Sequence, residues 1–247
     1  MIEKLLGFVM VLTRISAFFL VVPVFSWKVI PVRIKVAMTV LISVFFSLIT
    51  PSTINVGEIS PAVAALLIAY EATYGLALGL IAAVLFAPIK LGGRIVERQM
   101  GLAMAEVLDP TTGERSQPLG VLIEMIFIVM FLSANGHHVF LAAISRSYET
   151  FPVGTVPTIS VLATGVIKAG SAMLVVGLKL AAPILAAFLL LMVVLAVLAR
   201  IMPEMNILFI SLPLRVGMGL LMMAIFMPFI YSFMSEFTGL LGKLLPV

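Results

Sequence analysis

Hydrophobic residues run along this chain in long blocks separated by short polar or proline-bearing breaks. The first block extends from the N-terminus to about Trp27, with Arg14 inside it. Glu3 and Lys4 nearly cancel, and no small-x-small site follows. The segment is therefore expected to stay as a first membrane helix and not to act as a cleaved leader. Val36–Gly57 is free of charge and reads as helix to about Thr50, where Pro51, Ser52 and Thr53 break it. Ala72–Ile89 comes next, after an apolar approach from Pro61 that only Glu71 interrupts. Met125–Ser145, Leu180–Ala199 and Val216–Ser235 complete the set. Each approaches the roughly 20 residues that a bilayer-crossing helix requires. The pattern predicts an all-α, membrane-type protein of about six hydrophobic segments. No fixed-period repeat or low-complexity linker divides residues 1–247, so a single domain is the simplest partition.

Prolines at Pro23, Pro88, Pro183 and Pro228 fall in or beside these blocks, and each removes a backbone donor and favours a kink. Such kinks persist where neighbouring helices satisfy the freed carbonyls. Gly75 and Gly79 form a GxxxG pair that permits close helix approach; chance in a glycine-rich chain explains the spacing equally well.

Composition narrows the class further. Of 247 residues, 63% are hydrophobic and 11% charged, with a mean hydropathy of +1.28. This excludes an ordinary soluble domain and, more firmly, disorder. The 15 Lys and Arg exceed the 11 Asp and Glu, but they stand singly between apolar runs, so no nucleic-acid surface is expected. Lys28, Arg33, Lys35, Lys90, Arg94, Arg98, Arg115 and Arg200 lie in connections on one side of the predicted spans. Lys4, Arg146, Lys168 and Lys243 lie on the other. The excess of basic residues places the first set in the cytoplasm and both termini outside. With no cysteine there is no disulfide or thiolate chemistry. No HExxH, GxSxG, P-loop or GxGxxG occurs, so neither a cofactor, a metal nor catalysis is expected.

The most informative polar stretch runs from Lys90 to Pro118. Lys90, Arg94 and Arg98 lie at i, i+4 and i+8 and form one basic helix face, with Glu97 in reach of Arg94. The helix is expected to stop at Asp109-Pro110, with a turn at Thr111, Thr112 and Gly113, and Pro118 suits the first turn of the next helix. Two readings stand: a solvated cytoplasmic connector, or a polar loop held inside an assembly where it lines or blocks a path. Asn135, Gly136, His137 and His138 form a polar island in the fourth block. Adjacent histidines diverge around a helix, so a helix break or interhelical hydrogen bonds suit them better than a metal, with a proton relay a lesser possibility. Of the isolated charges Arg14, Glu71, Glu124, Lys168 and Lys179, the cations can snorkel near span ends, whereas Glu71 and Glu124 should be paired or face a wet cavity. Sixteen methionines suit gap-filling better than a deformable contact surface.

The order of these motifs resembles a known family. Arg14 is followed by Pro23-Val24-Phe25 and Ile30-Pro31-Val32-Arg33, and Tyr70-Glu71 precedes Gly75 to Leu80. Gln99-Met100-Gly101-Leu102-Ala103-Met104, Asp109-Pro110-Thr111-Thr112-Gly113 and Gly136-His137-His138 come next. Arg200-Ile201-Met202-Pro203-Glu204 and Leu212-Pro213-Leu214-Arg215 close the series. Nearly the whole chain is similar to the FliR/SctT family, subunits of type III secretion export gates, with motif forms closer to flagellar than to injectisome members. The resemblance implies a non-enzymatic subunit, in the bacterial inner membrane at the flagellar basal body, that joins FliP, FliQ and FlhB around exported unfolded polypeptides. Residues 1–164 would be FliP-like and 165–247 a FliQ-like helical hairpin, and the helices need not cross lipid conventionally. Carried over, the plug loop falls on Glu106, Val107, Leu108, Asp109, Pro110, Thr111, Thr112, Gly113, Glu114, Arg115, Ser116, Gln117 and Pro118. The cytoplasmic hairpin turn falls on Arg200, Pro203, Glu204, Asn206, Pro213 and Arg215. A stand-alone small-molecule or ion transporter and an intramembrane enzyme remain the alternatives.

Overall fold

The computed structural model describes residues 2–26, 30–50, 60–101, 118–156, 159–204, 206, 207 and 209–225. Every regular element among them is an α-helix: α1 (Ile2–Val21), α2 (Pro23–Ser26), α3 (Val32–Ile49), α4 (Pro61–Gln99), α5 (Pro118–Ser133), α6 (Gly136–Thr150), α7 (Ile159–Ile201) and α8 (Phe209–Ile225). This is the all-α, membrane-type architecture that the apolar blocks predict. Four of the helices are long and apolar enough to cross a membrane, or five if α5 and α6 make one broken span.

The boundaries differ from the hydropathy reading in instructive ways. The third block and the basic stretch after it are one helix: α4 runs for 39 residues with Pro88 inside it. It ends at Gln99, and the expected stop at Asp109-Pro110 lies outside the described residues. Gly101, at φ 78, supplies the left-handed residue that closes many helices, and its N–H donates to the Arg98 carbonyl at 3.1 Å. The fourth block is two helices. Asn135 adopts φ 59, ψ 26 and separates α5 from α6, a conformation that asparagine tolerates better than most residues. The fifth block lies within a 43-residue helix carrying Pro183. α3 ends at Ile49 beside Thr50, and α5 starts at Pro118, both as expected.

Two units are distinguishable. The first takes α1–α3, α4 as far as Phe86, α6, and α7 as far as Ala172. Its core includes Met10, Ile15, Phe18, Ile81, Phe140 and Ile144, all essentially without solvent contact. Phe140 meets Phe18 edge to face at 5.8 Å between ring centres. Here the GxxxG pair has a function. A Cβ on Gly75 would collide with the Arg14 carbonyl, and one on Gly79 would stand 2.9 Å from Val21 Cβ and 3.0 Å from the Phe18 carbonyl. The two glycines admit the α1 backbone directly against α4.

The second unit takes α4 from Ala87, α5, α7 from Met173, and α8. Gly93 and Gly120 bring α4 and α5 together, since a Cβ on Gly93 would lie 2.8 Å from Gly120 Cα. Val96 and Met100 of α4 join Ile184, Phe188, Leu191 and Leu195 of α7 in one cluster, on which Val216, Met218 and Met223 of α8 pack. The methionines fill gaps in this core.

Replacing Gly75 with valine should destabilise the first unit by about 1–3 kcal/mol through overpacking. Gly170→Ala, whose added Cβ meets nothing within 4 Å, should leave stability unchanged or slightly raised. The thermal transition of the purified protein in detergent measures both, and equal transitions for the two variants would refute the close approach.

Candidate functional site

Arg14 lies in the second turn from the end of an apolar helix, where the sequence permits a snorkelling side chain. Its side chain is instead fully enclosed, at 1% exposure, and its Nε donates to Glu71 Oε2 at 2.6 Å; Glu71 is 0% exposed. Taking two charges out of water is expensive, and only close pairing with further hydrogen bonds offsets it. Those further bonds are present. Arg14 Nη1 donates to the Ser147 carbonyl at 3.2 Å and to its Oγ at 3.4 Å. The Gly154 N–H donates to Glu71 Oε1 at 2.9 Å. The guanidinium lies 4.7 Å from the centre of the Tyr74 ring and 4.3 Å from that of Tyr148, so two aromatic faces flank the cation. The Tyr148 hydroxyl in turn donates to the Val11 carbonyl at 3.4 Å. One charge pair thereby gathers α1, α4, α6 and the segment leading to α7.

Helical spacing explains the convergence. Glu71, Gly75 and Gly79 recur at i, i+4 and i+8 on α4, so the carboxylate and the two close-approach positions share a face. Gly154, at φ 85, turns the chain so that its amide meets Glu71. Sequence reasoning flagged Glu71 as needing a partner but missed Arg14, Tyr74, Ser147, Tyr148 and Gly154. The available signal was that two lone opposite charges in separate apolar blocks are best satisfied by each other.

In the second unit, Lys90, Arg94 and Arg98 are all exposed along α4, and Glu97 is buried at 4% exposure. The expected basic face exists, and Arg98 occupies the last turn, where a cation suits the helix dipole. Lys90 Nζ is 3.4 Å from Glu124 Oε2, with side chains 49% and 18% exposed. Glu124 therefore has the partner it was expected to need. Glu106 to Gln117, the suspected plug loop, lie outside the described residues.

The polar island is a helix break. Asn135 is exposed, Gly136 is buried as the first residue of α6, and the His138 N–H donates to the Asn135 carbonyl at 2.9 Å. The rings of His137 and His138 lie 4.2 Å apart, centre to centre. Among the described residues, no group of three or more metal-ligating side chains gathers there or elsewhere. At the suspected hairpin turn, Arg200 closes α7, and Pro203 and Glu204 form the turn, both exposed. Pro213 and Arg215 are not in that turn; they belong to the first part of α8.

Comparison with known proteins decides what these parts belong to. Residues 5–241 match the family described as Bacterial export proteins, family 1. The chain belongs to that export family. Its relatives include the flagellar biosynthetic protein FliR of Bacillus subtilis, 31% identical over 231 residues, covering 91% of this chain and 87% of that protein. FliR of Escherichia coli K12 is 29% identical over 238 residues, covering 95% and 90%. The Yop proteins translocation protein T of Yersinia pestis is 28% identical over 229 residues, covering 91% and 87%. As a member of this family the chain is a membrane-embedded type III export-gate subunit, and the flagellar reading fits its relatives best. In this export subunit the buried charge cluster is placed to fix the arrangement of the helices.

Its energetics are open to test. Glu71→Ala should cost about 3–5 kcal/mol by stranding Arg14, whereas Arg14→Met with Glu71→Leu should recover most of that loss. Lys90→Ala, at an exposed pair, should cost no more than about 1 kcal/mol. Thermal or denaturant unfolding in detergent gives all three, and a double variant no more stable than Glu71→Ala would overturn the pairing.

Proposed function

We propose that this chain is a non-catalytic subunit of a flagellar protein-export channel in the bacterial inner membrane, assembled with subunits of the FliP, FliQ and FlhB types. The observation carrying this reading is the length of the exposed apolar face on α7. Ile159 is 76% exposed, Ile167 70%, Leu178 68% and Ile201 69%. Those residues are spread over the whole 43-residue helix, about twice the roughly 20 residues that a bilayer-crossing helix needs. A bilayer offers a hydrocarbon core of only about 30 Å, so lipid covers about half of such a face at most. The remainder calls for apolar protein, and sister subunits of an export gate supply it. A transporter acting alone would leave that surface in water.

In this reading the basic face Lys90, Arg94 and Arg98 leads into a plug at Glu106–Pro118, a polar loop that blocks ions at rest and moves aside for a polypeptide. The α7–α8 turn around Arg200, Pro203, Glu204 and Asn206 is the cytoplasmic end of a FliQ-like hairpin, where the FlhB-type subunit attaches. Residues 1–164 form the FliP-like part. The Asn135–His138 break ends α5 without a catalytic or metal role.

Deleting Asp109–Ser116 should leave the subunit co-purifying with its partners while the membrane becomes conductive to ions and small solutes. Loss of the whole gene should stop export of flagellar substrates. Conductance measured on reconstituted complex checks the first outcome, and an unchanged baseline would remove the plug assignment. A stable, functional monomer after gentle detergent extraction would defeat the gate reading itself.

A further inference from the structure

Helix α7 carries its polar side chains on one side. Ser160, Thr164, Lys168, Ser171, Lys179 and Arg200 are all exposed. At about 100° per residue they fall within an arc of roughly 100°. The hydroxyls of Thr164 and Ser171 donate to carbonyls of their own helix, at 2.7 Å to Ser160 and 2.8 Å to Lys168, so they need no outside acceptor. The cations do. Among the described residues no carboxylate pairs with Lys179.

Lys179 stands near the middle of the 43-residue helix, in the second unit, about 30 Å from either end at 1.5 Å per residue. Its neighbours Leu174, Val175 and Leu178 are each more than half exposed. So large an apolar surface is not left to water, and a lysine set within one calls for a paired charge. Lipid surrounds a helix on every side and gives polar residues no reason to gather on one arc. A facing helix does. Ala182 and Ala186, exposed on that same arc at i and i+4, let a second backbone come close.

We propose that this face of α7 docks an apolar helix of a sister subunit whose Asp or Glu pairs with Lys179, an interface that rests on the export-gate assignment. The two alanines seat the partner helix, and the buried ion pair fixes its register. Elsewhere on α7 the contact is aliphatic and adjustable; at Lys179 a slip of one turn strands both charges.

A membrane-permeant carbodiimide applied to the assembled export complex tests this. The reagent activates a carboxylate, the Lys179 Nζ displaces the activated group to form an amide, and the reagent leaves as its urea. Mass spectrometry should find Lys179 joined to an Asp or Glu of a sister subunit. Lys179→Arg should keep the complex together and abolish that bond, since a guanidinium preserves the charge without forming the amide. Lys179→Glu, which sets like charges against each other, should lower the yield of complex about tenfold or more. Labelling of Lys179 in the intact complex by a water-soluble amine-reactive ester would overturn the proposal, as would an unchanged yield with Lys179→Glu. Sister subunits that co-purify without any bond to Lys179 would defeat this interface alone. Their absence from the preparation would remove the gate reading together with it.

Discussion

The buried pairing of Arg14 with Glu71 is the constraint on which the first unit depends. Hydrophobic surface covers nearly every side of these helices, so burial alone does not tell one arrangement from another. Lipid is as apolar as leucine, and sliding α1 along α4 would exchange one set of aliphatic contacts for another. A charge pair is different, because a shift of one turn would strand both ions in a dry interior at a cost of several kcal/mol. The 2.6 Å contact therefore sets the register in which Gly75 meets the Arg14 carbonyl and Gly79 meets Phe18. Tyr148, Ser147 and Gly154 then dock α6 and the following segment on the same point.

The second unit solves the problem with other means. Its Lys90–Glu124 salt bridge is half exposed at Lys90. Specificity comes from the glycine crossing at Gly93 and Gly120 and from aliphatic and methionine packing around Phe188. Such packing tolerates adjustment more readily than a charge register does, since methionine repacks at little cost. A gate subunit that must hold its place while a neighbouring path opens is served by one unit pinned by charge and another pinned by shape.

Much of this was legible in the residues. Charge-free runs of about the bilayer length gave the helices, the basic i, i+4, i+8 row at Lys90 gave a real exposed face, and the ordered motifs pointed to the export family. Glu71 and Glu124 were correctly expected to need partners. What stayed hidden was tertiary or conformational in origin. Arg14 looked like a span-end cation because its partner lies 57 positions away and its aromatic neighbours come from two other segments. The end of α4 at Gln99 went unread because Gly101, which adopts the left-handed conformation that closes it, stands among apolar residues with no proline beside it. Asn135 split an apolar block that hydropathy averages into one span, because averaging cannot register a single backbone angle. Pro213 looked like a turn residue, yet near a helix start its missing N–H costs little.

Charge placement ties the two units to the export role. The two acidic residues expected to need partners are matched: Glu71 by Arg14, and Glu124 by Lys90. Among the other cations, Arg98 stands in the last turn of α4 and Arg200 in the last turn of α7. There they complement the partial negative charge of unsatisfied carbonyls. A carrier that binds and releases a charged solute requires an uncompensated ionisable group at mid-helix, where its protonation or pairing changes during the cycle. In this chain the buried pair Arg14–Glu71 is instead consumed in fixing structure, so it anchors the helices and does not serve as a solute-binding site.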